Sequence, residues 1–315
     1  MFFNKRPPEW ARDIFADAKS CAHFEKCVSS WFASQGIRTI ISDGNVEPTS
    51  GLDTSEYESL RFGLTNIAQV CQAMDPEQWP RAIADHYEAV VSQVRQSGTQ
   101  DHSLESYESA RELLVVRTLN QHEHTDDVWD SAVWVEGPGR TRVLVAAQLG
   151  NAMTWSLRSR AQRWGVDDRS LLKTAILNTR AKLGTTGRWE RFAESSRSPL
   201  CVLTGETRLI ASSMIWIHEI AEVNGSHGCL FAVPVGDLML ASPIEDQLPD
   251  TLAAMIEQAR AIHDEGPASI SDEIFWAFGK KRYTIGISEV AGGGVELDLP
   301  EALMKALGIG ADDQG

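Results

Sequence analysis

Apolar residues recur at helical spacing near the start of the chain. In EWARDIFADAKSCAHFEKCVSSWFASQ, Trp10, Ile14, Phe15, Phe24, Val28, Trp31 and Phe32 fall on one face. Pro7 and Pro8 precede this stretch and Gly36 follows it, so a single amphipathic helix is expected between them. IRTIIS then reads as a strand, SDGN as a tight turn, and the stretch through YESLRFGL as the returning strand of a hairpin. From Asn66 to Gln96 the period is helical again, with interruptions at Pro76 and Pro80. A short helix, a break near Asp75 and a longer helix from Trp79 are predicted. The polar stretch SGTQDHSLES, residues 97–106, is the natural linker.

Residues 111–183 carry the strongest pattern. RELLVVRTLN, SAVWVEGPGRTRVLVAAQL and MTWSLRSRAQRWGVDDRSLLKTAILNTRAKL read strand, strand, turn, strand, strand, helix, which is a meander closed by a helix. A polar loop, TTGRWERFAESSRS, leads to the apolar strand PLCVLTG, and GETRLIASSMIWIHEIAEVNG reads as a helix ended by Asn224 and Gly225. Two apolar strands in HGCLFAVPVGDLMLASP, a helix from Asp250 to Asp264, a strand pair in IFWAFGKKRYTIGIS and a short helix at PEALMKALG complete the pattern. Helices and strands alternate irregularly with hairpin connections, so the class is α+β. The expected organisation is an N-terminal helix-hairpin-helix unit over residues 1–98, then a larger, mostly antiparallel sheet with packed helices over 107–315.

Composition narrows the partners. With 29 basic and 44 acidic residues the net charge is −15, a field that repels phosphate backbones, so nucleic acid is not an expected ligand. The N-terminus has no apolar signal core and no stretch is apolar for long enough to span a bilayer, so no membrane partner is expected either. Five cysteines form an odd set without metal or disulfide spacing, which fits reduced thiols and a cytoplasmic setting.

Five segments, taken in order, carry a family resemblance: LLVVRTLNQ, the WVEGPGRTRVLVAAQLG hairpin, RWGVDDRSLLKTAILNTRAKL, HGCLFAVPVGDLMLA and IFWAFGKKRYTI. Together they resemble the YtpQ-like family of bacterial proteins, with Val233, Pro234, Asp237 and Leu238 matching that family's pattern. The resemblance implies a fold type and a bacterial cytosolic setting. It implies no chemistry, since that family has no established activity.

Candidate chemistry is sparse. His218 and Glu222 stand four apart in a segment expected to be helical, with Glu219 between them and His227 just beyond. That spacing suits a pair of metal ligands or a histidine–carboxylate catalytic pair, but the second histidine of a zinc-hydrolase motif is absent, and a polar helix face explains the residues as well. His122 and His124, beside Glu123, Asp126 and Asp127, form a second cluster, which a solvated loop explains equally. No metal and no cofactor is expected, and phosphate-binding glycine loops and nucleophile elbows are missing.

Ten tryptophans are the compositional anomaly. Trp134, Trp155, Trp164, Trp216 and Trp276 lie in apolar segments and are expected in the core. Trp129 and the cluster Arg188, Trp189, Arg191 and Phe192 lie in polar surroundings, and aromatic residues beside arginine are the composition of an interface centre. The expected function is a non-catalytic binding or adaptor role toward a protein partner or a second copy of the chain. The alternative is a hydrolase using a histidine–carboxylate site.

Overall fold

The computed structural model describes residues 6–12, 14–52, 62–100, 104–122, 126–149, 152–155, 157–193, 199–205, 207–266, 269–290 and 294–309. The chain divides into two compact units, one comprising residues 1–109 with 148–153, the other residues 110–147 with 154–315. Helices and antiparallel sheets occur together, so the fold is α+β.

In the first unit the helix predicted from the proline pair begins late. A 3-10 turn at Glu9–Ala11 is followed by a break, and α1 (Ala18–Ser34) starts where the Asp17 carboxylate accepts hydrogen bonds from Lys19 N and Ser20 N, both at 2.8 Å. That cap satisfies amides that no helix carbonyl reaches, and it fixes the start. Strands β1 (Arg38–Ser42) and β2 (Asn45–Ser50) turn at Asp43 and Gly44, both with positive φ. Two such residues in succession match the twist of a tight hairpin. The returning strand is therefore NVEPTS, rather than YESLRFGL. The described end of that latter stretch, β3 (Phe62–Gly63), makes a third strand against β2, and residues 53–61 lie outside the described residues. The two later helices follow the prediction: α2 (Thr65–Gln72), a break capped by Asp75, and α3 (Trp79–Gln100). The expected linker begins inside α3. Phe24, Val28, Phe32, Ile67, Ile83 and Tyr87 close this unit's core.

The second unit begins at Ala110, the last residue of α4 (Tyr107–Ala110), and continues with β4 (Leu114–Asn120), α5 (Asp126–Ser131), β5 (Trp134–Glu136) and β6 (Thr141–Leu149) as far as Ala147; the end of β6 and the first two residues of β7 (Ala152–Thr154) are grouped with the first unit. The order is β4-β6-β5, so β6 is central and the expected meander is corrected: β4 pairs with β6. A helix, α5, stands where an uninterrupted strand succession was expected. The single closing helix is also two, α6 (Arg158–Trp164), ended by Gly165 at φ 67°, and α7 (Asp168–Thr186), capped by Asp167.

β8 (Arg188–Ala193) and β9 (Leu200–Thr204) open the large sheet, joined by β10 (Cys229–Val235), β11 (Leu238–Pro243), β12 (Ile274–Phe278), β13 (Lys281–Val290) and β14 (Gly294–Asp298). The seven strands run in the order β14-β13-β12-β10-β11-β9-β8, and every described pairing is antiparallel. β10 is buried along its whole length, so both faces of the sheet are covered. On one face lie α8 (Leu252–Glu265) and α9 (Glu301–Ala306), where Leu230, Leu240, Met255, Ile256, Trp276, Ile285 and Leu303 form the core. Against the other face rests the segment from Ile210 to Val223, which also packs on β4 and α7.

That segment was expected to be an α-helix. It is instead three 3-10 turns, Ile210–Ile215, Ile217–Glu219 and Ala221–Val223, and Asn224 is extended rather than a left-handed cap. The physical reason is its surroundings. Ile210 to Met214 are all buried, serines included, so the segment is packed around its whole circumference and its course follows two neighbouring layers. Isoleucines at 210, 215, 217 and 220 add β-branching, which weakens helix propensity.

Candidate functional site

The outer strand β8 carries most of the residues singled out as a partner surface. The sequence presents TTGRWERFAESSRS as a polar loop, but α7 runs through Thr186 and residues 188–193 pair with β9, with Trp189 opposite Leu203 and Arg191 opposite Cys201. Arg188, Glu190 and Arg191 are exposed and Trp189 is half-buried. The side chain of Phe192 lies outside the described residues. Trp189 and Arg191, two apart, share one face, and Arg188 and Glu190 share the other. Register shifts between Arg191 and Ala193, so a bulge breaks the period of two that would have marked the strand in the sequence. Among the described residues no further strand pairs with the outer edge of β8.

Cys201 lies beside Arg191 on the same face. Burial pushes its thiol up, the Arg191 guanidinium works against that, and Glu222 adds to it, so Arg191 and Glu222 both act on one sulfur. Burial likewise raises Cys21 and Cys71 to about 11 and Cys229 to about 12. All five cysteines are free, and four are buried. None of these thiols is set up as a nucleophile, because the thiolate is the reactive form.

Trp129 is not a surface residue. It is 4% exposed and stands edge-on to Trp134, with ring centroids 6.0 Å apart. The Arg142 guanidinium lies over both rings, 4.8 Å from the Trp129 centroid and 4.0 Å from that of Trp134. The Trp134 indole N–H donates to Trp129 O at 2.9 Å. The cation–π stack ties α5 to the β5–β6 pair, so this tryptophan stabilises the unit and presents no ring to a partner.

The histidine–carboxylate set is dispersed by the 3-10 turns. Arg282, on β13, donates through Nε to Met214 O at 3.0 Å, through Nη1 to Gly279 O and Lys281 O at 2.9 Å each, and through Nη2 to Ile215 O and His218 Nδ1 at 2.9 Å each. An arginine has no acceptor, so His218 Nδ1 accepts and the ring carries its proton on Nε2, 3.7 Å from Glu219. Burial, and then the Arg282 charge, hold His218 below its usual value. Glu219 is bound to Arg180 and held low chiefly by that hydrogen bond. Glu222 is exposed on the next turn. His227 sits in the hairpin turn Gly225–Gly228, its carbonyl accepting from the Trp276 indole at 2.8 Å. His218 thus has one nitrogen engaged by a cation and the other protonated, which suits a brace and leaves no lone pair for a proton or a metal.

His122 is exposed, with its backbone amide bound to Asn120 at 2.9 Å, and His124 lies outside the described residues. Among the described residues no group of three or more His, Cys, Asp or Glu side chains is placed to hold a metal ion, and no helix is long and apolar enough to cross a membrane.

Two features escaped the sequence reading. Arg282 was visible only as part of the basic run Lys280–Arg282, because its five acceptors come from positions remote along the chain and from two neighbouring carbonyls that no pattern flags. The second is a groove of about 560 Å³ between α8 and β14, lined by Leu252, Ala253, Ile256, Val295 and Leu297, with Asp250, Glu257 and Arg260 at its rim. The alternation Val295, Leu297, Leu299 would have placed the first two on one strand face, but not beside α8. Comparison with protein-family models, curated proteins and solved structures returns no match for the chain.

Proposed function

We infer that the chain is a non-catalytic binding protein that engages a protein partner through the outer edge of β8. The observation that supports this is an edge strand, in a protein of net charge −15, that sets exposed Arg188 and Arg191 beside the half-buried ring of Trp189. Main-chain donors and acceptors on such an edge supply affinity, while arginine and an aromatic ring supply selectivity for an acidic, extended segment. The same reading places the chain among YtpQ-like bacterial proteins, in the cytoplasm, in keeping with its five free thiols. Nucleic acid is left out of the proposal because the net charge opposes it.

The test is quantitative capture from lysate of the source cells by tagged chain, comparing native protein with Trp189→Ala and with the pair Arg188→Glu, Arg191→Glu. Loss of about 2 kcal/mol of binding is expected for Trp189→Ala. The arginine pair is exposed, so its loss of binding should come with an unchanged melting temperature. A large fall in melting temperature for Trp189→Ala, together with unchanged capture by both variants, would show that Trp189 serves packing and that β8 is not the docking edge.

A further inference from the structure

Three strand edges in the second unit differ in how they are finished. The outer edge of β4 is closed by side chains: Val116 N donates to Thr179 Oγ1 at 2.8 Å, Asn178 Nδ2 donates to Leu114 O at 2.8 Å, and Ser212 Oγ donates to Val116 O at 3.1 Å. At the ends of the large sheet, no described strand pairs with the outer edge of β8 or of β14. The charges on these two ends oppose each other. β8 exposes Arg188 and Arg191 against Glu190, whereas β14 exposes Glu296 and Asp298 and carries no cation. Charges that merely guard edges against self-pairing need no such asymmetry, because a guard of one sign at both ends repels every copy.

Apolar surface follows the same division. Val295 is 48% exposed and shares a strand face with Leu297, on the side where α8 leaves its groove. Across that groove stand the exposed Glu257 and Asp250, with Arg260 beside them.

Resting on the reading of β8 as a docking edge, we propose that the partner is a second copy of this chain, whose β8 strand adds to the β14 edge and extends the large sheet from one molecule to the next. Antiparallel addition, the mode of every described pair in this sheet, has a register that opposes Arg188 of one copy to Glu296 of the other and Trp189 to Val295. Directly opposed residues share a face, so the indole then lies beside the groove of Leu252, Ile256 and Leu297, while Asp298 is diagonal to Arg188. The interface is heterologous: each copy offers β8 to one neighbour and β14 to another, so assembly passes beyond the dimer to a ring or an open chain.

The experiment is sedimentation velocity of the full chain over a wide concentration range, at low and high salt. Native protein is expected to associate beyond dimers, less so at high salt. Arg188→Glu with Arg191→Glu, or Glu296→Lys with Asp298→Lys, is expected to raise the concentration needed by at least about tenfold. An equimolar mixture of these two variants presents both a native and a charge-reversed matched pair of edges and is expected to associate beyond dimers again, with the two variants alternating. A chain with all four substitutions is expected to associate again, which controls for a variant that merely folds poorly. Native protein that stays monomeric throughout overturns the proposal. If its Arg188- and Arg191-dependent capture of another protein persists, the binding reading stands without it. Association unaffected by either pair of substitutions also overturns the proposal.

Discussion

His218 shows how much a single neighbour decides. In the sequence it is a histidine one turn from a carboxylate, and in the fold it is an acceptor for a guanidinium. The consequence for stability follows from its lowered pKa. Above the unfolded value of about 6.5 the ring is neutral in both states and the Arg282 contact is fully present. As pH falls from there toward and through the lower folded value, the unfolded chain takes up the proton first and this contribution is lost. The charged groups acting on the ring are Arg282, Glu219, Lys280 and Arg180. His218→Asn keeps an acceptor and removes the titration, so its melting temperature should fall less than that of the native protein between neutral and mildly acidic pH. Equal slopes in the two thermal-shift profiles would exclude this role.

Elements were legible in proportion to how far their own residues determined them. α1, α2, α3 and α8 have apolar faces of helical period, and β9 to β13 have apolar runs bounded by turn residues, so local pattern and tertiary role agree. The start of α1 was misplaced because hydrophobic spacing continues through Ile14 and Phe15, although the helix begins only at the Asp17 cap. β8 was unreadable for a different reason: its residues are polar and its bulge spoils the period. The pairing of β4 with β6 depends on which neighbours cover β4, and no local signal carries that. The candidate partner cluster was legible as composition, whereas its setting on a strand edge was not. Thr179 makes the β4 edge testable. It is fully buried, and Thr179→Val keeps the shape while leaving Val116 N without its acceptor. A destabilisation of about 1–3 kcal/mol is expected in chemical denaturation, with Thr179→Ser restoring most of it. A loss well below that range would mean that the edge finds another acceptor.

At the scale of the whole molecule, the chain folds as two compact units, and the larger one is layered. α8 and α9 cover one face of the seven-stranded sheet, and the segment from Ile210 to Val223 covers part of the other. The first part of that stratum, Ile210–Ile217, is largely buried but built of short 3-10 turns, whose hydrogen bonds have poorer geometry than those of a long helix or a ladder. Dryness and amide protection should therefore part company there. Deuterium is expected to enter residues 210–217 by local opening well before it enters β10 and β11 beneath them, although Ile210, Ala211 and Ile217 are as inaccessible to solvent as the strands. Equal protection across the three, read by exchange mass spectrometry, would mean that the layers open only together. This layer of the second unit is thus where a core can be solid to solvent and still loose to time.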